Sequence, residues 1–322
     1  MVIQVLQFCT QELSTIKNNI MRVFVTGATG FVDSAVVNEL ISAGHQVLGL
    51  TRSENGAKAL LAAGAEVHHG DLEDLDSLRR AVNLSDGVIH TGFIHDFTRF
   101  KACCEIDKLA IETMGEALAG SDRPIVITSA IGILGVKDRL AVEGDTYPAD
   151  GPNPRIATER AVDSIAAKGV KVSVVRLSPT VHDEGDHGFV PMLIDIAAKK
   201  GISVYKGEGL NRWPAVHRLD AARLFRLALE KESAPGTRYH AVAEEGIFFK
   251  EIAEAIGSGL HIPVESKSPE EATSHFGSFA HFAGLDCPAS SQLTQESLSW
   301  EPMHKVLKDD LITSDYFKNT KV

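Results

Sequence analysis

The 322-residue sequence is poor in cysteine, in net positive charge and in long apolar runs. Its formal net charge of −11 excludes the broad basic surface that nucleic acid would need. Its four cysteines follow no metal-binding or redox spacing, which is typical of a reducing cytoplasm. No apolar stretch approaches the roughly 18 to 20 residues of a membrane-spanning helix. We therefore expect a cytoplasmic protein that binds neither nucleic acid nor membrane.

Two kinds of motif are also missing. None of the thirteen histidines forms an H-x-x-x-H or H-E-x-x-H pair, so we expect no metal site. Residues 1–20 lack the basic start and the small-residue cleavage site of a secretory signal. We interpret them as an N-terminal extension outside the fold.

From Arg22 onward, strand-like apolar runs alternate with helical patterns. This alternation indicates parallel strands joined by right-handed crossovers. Six strands are predicted: RVFVTG, HQVLGLT, AEVHHGD, DGVIHT, PIVITS and VKVSVVRL. The sequence therefore predicts an α/β fold with a doubly wound parallel Rossmann sheet.

The alternation becomes irregular after Pro179. We predict an NADP-binding Rossmann domain over residues 21–180. Residues 181–322 should form mainly a smaller, discontinuous substrate lobe over the carboxyl ends of the strands, where open α/β sheets bind ligands. Within that lobe, residues of about 214–245 should return to the core, because DAARLFRLALEKE has apolar residues at helical spacing.

The stretch TGATGFVDSAVV directly follows the first predicted strand. Gly27 permits a tight turn, Gly30 lets the backbone approach a pyrophosphate, and the next helix directs its N-terminal amides at the phosphates. Asp33 stands where this pattern usually has a third glycine. We expect its carboxylate to repel a bound pyrophosphate but to gain from the helix dipole in the free protein. The rest of the predicted loop is Thr29, Phe31 and Val32.

The second strand ends in GLTRS, at the position that separates the two nicotinamide dinucleotides. An acidic residue there would bind the ribose 2′-hydroxyl, whereas Arg52 offers a guanidinium to a 2′-phosphate and Ser53 can add a hydrogen bond. NADP(H) is therefore the expected cofactor. After the third strand, Asp71 and Leu72 could flank the adenine, although Asp71 could equally cap a helix.

The chain resembles the extended and atypical branches of the short-chain dehydrogenase/reductase superfamily, which include NAD(P)-dependent epimerases, dehydratases and reductases. The likeness begins at about Arg22 and rests on TGATGFV, LTRS, HGDLEDLDSL, GVIHT, IVITSA and RWPAVHRLDAARLF, in that order. It implies a nicotinamide cofactor and a dimer through helices at about 98–118 and 154–168. The implied cofactor contacts are His90, Thr91, Gly92, Pro179 and Val181.

Members of this superfamily typically use a tyrosine and a lysine four residues later, and the charge of the lysine lowers the pKa of the tyrosine. None of the four tyrosines here has that lysine, and Arg155 and Glu159 stand in the two positions. The resemblance assigns Ser129 to the substrate carbonyl, unless it only satisfies backbone groups. Asp107 falls at a position that is commonly asparagine, where it could simply hold the helix or a water.

Two side chains could replace the tyrosine. His182, in VHDEGDHGF, could donate a proton near neutral pH, and we prefer it to Tyr147, which lies on a loop that could fold over the site. The alternative is a solvated loop histidine. Asn211, Arg212 and Trp213 could form a substrate pocket wall, or they could be a packed tryptophan beside a surface arginine.

These features favour an NADPH-dependent oxidoreductase that reduces an aldehyde or ketone, its small-molecule substrate, to an alcohol. One alternative is an NADP(H)-binding or sensing protein that has lost catalysis, which the missing tyrosine and lysine would suit. Another is a nucleotide-sugar epimerase or dehydratase, and an epimerase would consume no net NADPH. We favour the reductase because a sensor has no evident need for the segment RWPAVH.

Overall fold

The computed structural model describes residues 20–313 and 315–318, with twelve strands and twelve α-helices in that part of the chain. The interpretation of residues 1–20 falls, apart from Ile20, outside these residues. The strands are β1 (Arg22–Thr26), β2 (Gln46–Thr51), β3 (Glu66–His69), β4 (Gly87–His90), β5 (Ile125–Ala130), β6 (Val172–Leu177), β7 (Thr180–His182), β8 (Ser203–Lys206), β9 (Arg212–His217), β10 (Thr237–Ala241), β11 (Glu244–Phe248) and β12 (Val264–Lys267). The helices are α1 (Phe31–Ser42), α2 (Glu54–Ala62), α3 (Leu75–Asn83), α4 (Phe100–Leu118), α5 (Ile156–Ala166), α6 (Phe189–Lys200), α7 (Arg218–Glu230), α8 (Phe249–Leu260), α9 (Pro269–Phe276), α10 (Ala280–Ala283), α11 (Gln292–Leu298) and α12 (Leu307–Thr313).

The largest sheet has the strand order β10-β6-β5-β4-β1-β2-β3, and every neighbouring pair is parallel. The predicted doubly wound sheet is confirmed, but it has seven strands and not six, because β10 adds to the edge at β6. The chain order reverses between β1 and β4. Such a switch point opens a crevice at the carboxyl ends of the strands, where ligands bind in this fold.

Two hydrophobic cores hold helices on both faces of this sheet. One core packs α1 and α7 against β1 and β6, with Val36 and Phe225 fully buried. The other packs α3, α4 and α5 against the opposite face, with Leu78 and Met114 fully buried. Each such side chain contributes about 1.5 to 3 kcal/mol relative to an exposed one, so these cores fix where the strand ends lie.

A third core forms beside the carboxyl edge of the sheet. It packs α6, α8, α9 and α12 around Trp213 and Phe249. Strand β7, which starts three residues after β6, pairs with β9 in a three-stranded sheet and thus ties this lobe to the crevice. The helices of the described residues include none that is both long and apolar enough to cross a membrane.

Candidate functional site

The glycine loop lies at the switch point between β1 and α1. Gly27 has φ +68°, and a Cβ there would lie 2.7 Å from the Cα of Gly92, so only glycine allows this close approach. Gly30 precedes α1 without any side-chain cap, which leaves the first amides of the helix directed at the crevice. Thr29 is exposed, while Phe31 and Val32 are half-buried. This arrangement can hold an anion such as a pyrophosphate.

The Asp33 carboxylate lies on the inner side of this loop. Its Oδ2 is 2.0 Å from where a Cβ on Gly30 would lie, and its Oδ1 is 3.0 Å from the corresponding point on Gly27. Oδ1 is buried and has no hydrogen-bond partner among the described residues. Burial raises the pKa of Asp33 to about 6, and the Thr91 hydroxyl and the charges of His90 and His187 offset only part of that effect.

Hydrogen bonds join β1 to the segment after β4. Thr91 Oγ1 donates to Thr26 O at 2.8 Å, and the Gly92 amide donates to Thr26 Oγ1 at 3.1 Å. The buried His90 ring lies between Thr26 Oγ1, at 2.7 Å from its Nδ1, and Asp107 Oδ1, at 3.0 Å from its Nε2. An ionised carboxylate can only accept, so Nε2 donates to Asp107. These bonds fix the crevice floor beside Gly27.

Asp107 is a buried anion that holds Arg155 in place. Its Oδ2 accepts from Arg155 Nη1 at 2.5 Å and from Thr158 Oγ1 at 2.6 Å. Burial alone would raise the pKa of Asp107, but Arg155, His90 and Thr158 outweigh it and lower the value to about 2. Asp107 is therefore ionised at neutral pH and acts through Arg155.

Arg155 lies at the carboxyl end of β5. Its Nη2 donates to the carbonyl of Thr128 at 3.2 Å, and its guanidinium lies 4.1 Å from the centre of the Phe93 ring. The next residue along β5 is Ser129, which is 2% exposed and whose Oγ has no hydrogen-bond partner in the described part of the chain. A buried hydroxyl without a partner is costly unless a ligand satisfies it.

His95 belongs to the same cluster, and the sequence analysis missed it. Its ring packs edge-to-face on Phe93 with centroids 5.2 Å apart. Partial burial and the nearby charges of Arg155 and His187 lower its pKa. The only signal in the sequence was its position in TGFIHDF, just after the fourth strand. Arg155, Phe93 and His95 lie in contact, and Arg155 bonds the carbonyl that precedes Ser129. We call these four residues the β5 cluster.

Glu159 and Tyr147 do not belong to the β5 cluster, which corrects their predicted catalytic roles. Glu159 is fully buried and accepts from the fully buried Arg176 at 2.7 Å and from Arg238 at 3.2 Å. The Tyr147 hydroxyl donates to Asp163 at 2.8 Å, and burial together with this carboxylate raises its pKa to about 12. Glu159 and Asp163 lie one and two turns further along the chain than Arg155, and their partners are arginines and Tyr147 outside the β5 cluster.

His182 is also not a loop residue. It ends β7, is fully buried, and pairs through Nδ1 with Asp310 Oδ2 at 2.7 Å. The exposed histidine of this segment is His187, whose ring packs edge-to-face on Phe31 with centroids 5.8 Å apart. His187 therefore lies beside the glycine loop, and Pro179 and Val181, both half-buried, precede it.

Asp183, His217 and Asp310 bring three ligand-type atoms within 4.8 Å of one another. The Leu219 amide donates to His217 Nδ1 at 3.2 Å, so the proton of the neutral ring is on Nε2, which faces the two carboxylates. Arg218 already pairs with Asp183 at 2.9 Å. A cation bound here would be repelled by the positive charge of that guanidinium. The expected absence of a metal stays a prediction.

The predicted pocket wall has the alternative arrangement, a packed tryptophan beside an arginine at the surface. Trp213 is fully buried and its Nε1 donates to Leu285 O at 3.1 Å. Asn211 Nδ2 donates to Ala283 O and to the same Leu285 O, each at 3.0 Å. Arg212 pairs with Asp286 at 3.3 Å. All three side chains fasten the segment 283–286 to β9.

Arg52 is exposed at the end of β2 and makes no hydrogen bond or ion pair with any described residue. The neighbouring Ser53 instead caps α2 by accepting from the Gly56 amide at 3.1 Å. Asp71 Oδ1 accepts from the amides of Glu73 and Asp74, so it fixes the turn before α3, and Leu72 is buried. Among these four residues, Arg52 is the one whose charged side chain is free to bind a ligand.

Comparison with known proteins places these features in context. The sequence model of the NAD dependent epimerase/dehydratase family matches residues 23–132. An uncharacterised protein of Schizosaccharomyces pombe is 52% identical over 92% of this chain and 100% of its own length. A 2-alkyl-3-oxoalkanoate reductase of Stenotrophomonas maltophilia is 27% identical over 67% of each chain. The structure of dTDP-glucose 4,6-dehydratase from Streptomyces venezuelae, solved with NAD, superposes with TM-score 0.73 at 18% identity, covering 92% of this chain and 97% of that one.

Proposed function

Because this chain belongs to the NAD dependent epimerase/dehydratase family of extended short-chain dehydrogenases/reductases, we propose that it is an NADPH-dependent oxidoreductase that reduces an aldehyde or ketone to an alcohol. The observation that carries the proposal is the buried Ser129 hydroxyl, which has no partner within the described residues and lies at the carboxyl end of β5. The close approach of Gly27 to Gly92 and the free Arg52 guanidinium fit a dinucleotide with a 2′-phosphate.

Each residue of the β5 cluster has a role in this reduction. Ser129 donates a hydrogen bond to the substrate carbonyl oxygen and so draws electron density from the carbonyl carbon. NADPH, when bound, supplies the hydride. His95 donates the proton that the oxygen takes up. Arg155 is a positioning residue, because it holds Phe93 under its guanidinium and Phe93 in turn supports His95.

The test of this function is NADPH oxidation by the purified chain against a panel of aldehydes and ketones. We expect turnover of at least one carbonyl compound, with one alcohol formed per NADPH consumed. Tight NADPH binding without turnover of any compound would overturn the reductase and support an NADP(H)-binding protein. Interconversion of a nucleotide sugar with no net loss of NADPH would support an epimerase.

Arg52→Ala is expected to narrow the preference for NADPH over NADH. A charge-assisted pair with the 2′-phosphate contributes about 1.5 to 3 kcal/mol, which is roughly a 10- to 150-fold difference in affinity. Calorimetric titration with both dinucleotides measures the ratio. Lys58→Ala on α2 removes a different exposed charge and should leave that ratio unchanged. An equal ratio in wild type and Arg52→Ala would show that Arg52 does not read the 2′-phosphate.

A further inference from the structure

The phosphate-binding loop of this chain contains its own anion. The Asp33 carboxylate lies against both Gly27 and Gly30, at distances where a Cβ on either glycine would touch it. These are the glycines whose lack of a side chain would let a pyrophosphate approach the backbone. The two anions therefore compete for one surface of the loop.

We propose that Asp33 is a proton-binding gate of the dinucleotide site: the pyrophosphate binds with uptake of one proton from solvent by the Asp33 carboxylate. This inference rests on the proposed function, because it assumes that the crevice binds a dinucleotide. A neutral carboxylic acid does not repel the phosphates, and its hydroxyl can donate a hydrogen bond to a phosphate oxygen. An ionised carboxylate can only accept and adds a like charge.

The surroundings of Asp33 favour this protonation. Oδ1 is buried without a partner among residues 20–313 and 315–318, so the ionised group is poorly solvated. The titratable groups that face it are His90 at the end of β4 and His187 in the loop after β7. Arg218, at the start of α7, lies 4.8 Å from the ring of Phe31, two residues before Asp33. Burial raises the pKa of Asp33 to about 6 and outweighs the Thr91 hydroxyl, the Asp33 amide and the interactions with His90 and His187, all of which lower it.

The raised pKa also reverses one expectation from the sequence, namely that Asp33 stabilises the free protein through the helix dipole. A group whose folded pKa lies above its unfolded value of 3.8 stabilises the fold only at low pH, and this contribution is lost as pH rises through about 6. The desolvation of the carboxylate outweighs the dipole. Because the loss of stability begins above the unfolded value of 3.8 and is complete only above about 6, Asp33→Asn should raise the melting temperature of the free protein by more at pH 8 than at pH 5.

The test is the affinity for NADH, measured calorimetrically from pH 5 to pH 8. NADH is chosen because the 2′-phosphate of NADPH itself titrates near pH 6. If binding requires protonated Asp33, the wild-type dissociation constant should rise by up to about 90-fold over this range, given the pKa of about 6. Titrations at pH 7.5 in buffers of different ionisation enthalpy should show uptake of nearly one proton.

Two variants separate Asp33 from the histidines. Asp33→Asn and Asp33→Gly should bind NADH at pH 8 nearly as tightly as wild type does at pH 5, without proton uptake. His187→Gln removes a charge that lowers the pKa of Asp33, so it should keep a pH-dependent dissociation constant with the midpoint moved to higher pH. His69→Gln, which removes an exposed imidazole at the end of β3, is the matched control and should keep the wild-type pH dependence. The gate would be overturned if the NADH dissociation constant depended on pH equally in wild type and in both Asp33 variants. It would also be overturned if the wild-type constant did not change with pH, and in either case dinucleotide binding itself would stand. Absence of NADH and NADPH binding at every pH in wild type and in both variants would overturn the gate and the proposed function together.

Discussion

Glu159→Gln is expected to lower the free energy of unfolding by about 3 to 5 kcal/mol, the usual cost of removing one partner from a buried ion pair. Glu159 and Arg176 are both fully buried and their side chains meet at 2.7 Å and 3.1 Å. Burial alone would raise the pKa of Glu159, but Arg176 and Arg238 outweigh it and lower the pKa. The pair therefore stabilises the fold at neutral pH, and its contribution is lost only as pH falls through this lowered pKa.

Urea unfolding at pH 7, followed by circular dichroism, measures this cost. Glu66→Gln is the matched control, because Glu66 also pairs with an arginine, Arg22, at 2.6 Å but its side chain is 55% exposed. An exposed pair contributes at most about 1 kcal/mol. If both variants lower the free energy of unfolding by the same amount, the buried Glu159–Arg176 pair does not stabilise the fold more than an exposed pair does. The structure also predicts that Glu159→Lys cannot rebuild a tyrosine and lysine pair, since the new ammonium would face Arg176 and Arg238.

The fold could be predicted from local patterns, and the exceptions have a physical cause. Strands β1, β2, β4, β5 and β6 each contain several apolar residues bounded by turn residues, β3 is marked only by its place between two helical patterns, and the glycine loop follows β1 directly. Strand β10 could not be found in the same way, because TRYHA has no apolar run and becomes a strand by pairing with β6, more than sixty residues earlier in the chain. Edge pairing of this kind depends on tertiary contacts.

The candidate site could be predicted only where its chemistry is local. Gly27 and Gly30 lie directly after β1 and Arg52 directly after β2, as the sequence indicates, while their contacts with a cofactor stay a prediction. Whether a polar side chain faces the crevice or the interior depends on partners far away in sequence. Glu159 finds Arg176 in the next strand, and His182 finds Asp310, 128 residues later. Residue type alone could not distinguish these buried pairs from catalytic groups.

Only two of the four residues of the β5 cluster could be predicted from the sequence. Ser129 and Arg155 were identified through the resemblance, but Phe93 and His95 were not, since no motif marks them. Phe93 contacts both Arg155 and His95, at 4.1 Å and 5.2 Å respectively, and so connects the carboxyl end of β5 to the segment after β4. The link to Ser129 is through the backbone, because Arg155 donates to the carbonyl of Thr128, the residue that precedes Ser129.

His95→Gln is expected to lower kcat for carbonyl reduction by about 100- to 10,000-fold, the range typical of a lost general acid. The dissociation constant for NADPH should stay within a few-fold of wild type, because His187 and not His95 packs against the glycine loop. His187→Gln, the matched control, should show the opposite split, with weaker cofactor binding and a kcat close to wild type. Both variants replace an imidazole by an uncharged polar side chain. A difference between them in kcat or in NADPH affinity therefore comes from where each histidine lies in the site.

The pH profile makes the role of His95 testable apart from the Asp33 gate. With NADPH and substrate saturating, only groups that act in the bound complex affect kcat. Partial burial and the charges of Arg155 and His187 lower the pKa of His95, so the protonated donor is depleted as pH rises through a value below the ordinary one for histidine. Wild-type kcat should therefore rise as pH falls towards that value, and His95→Gln should lose this dependence. A variant that keeps both the wild-type kcat and the wild-type profile would exclude His95 as the proton donor and leave a water held by Ser129 as the source.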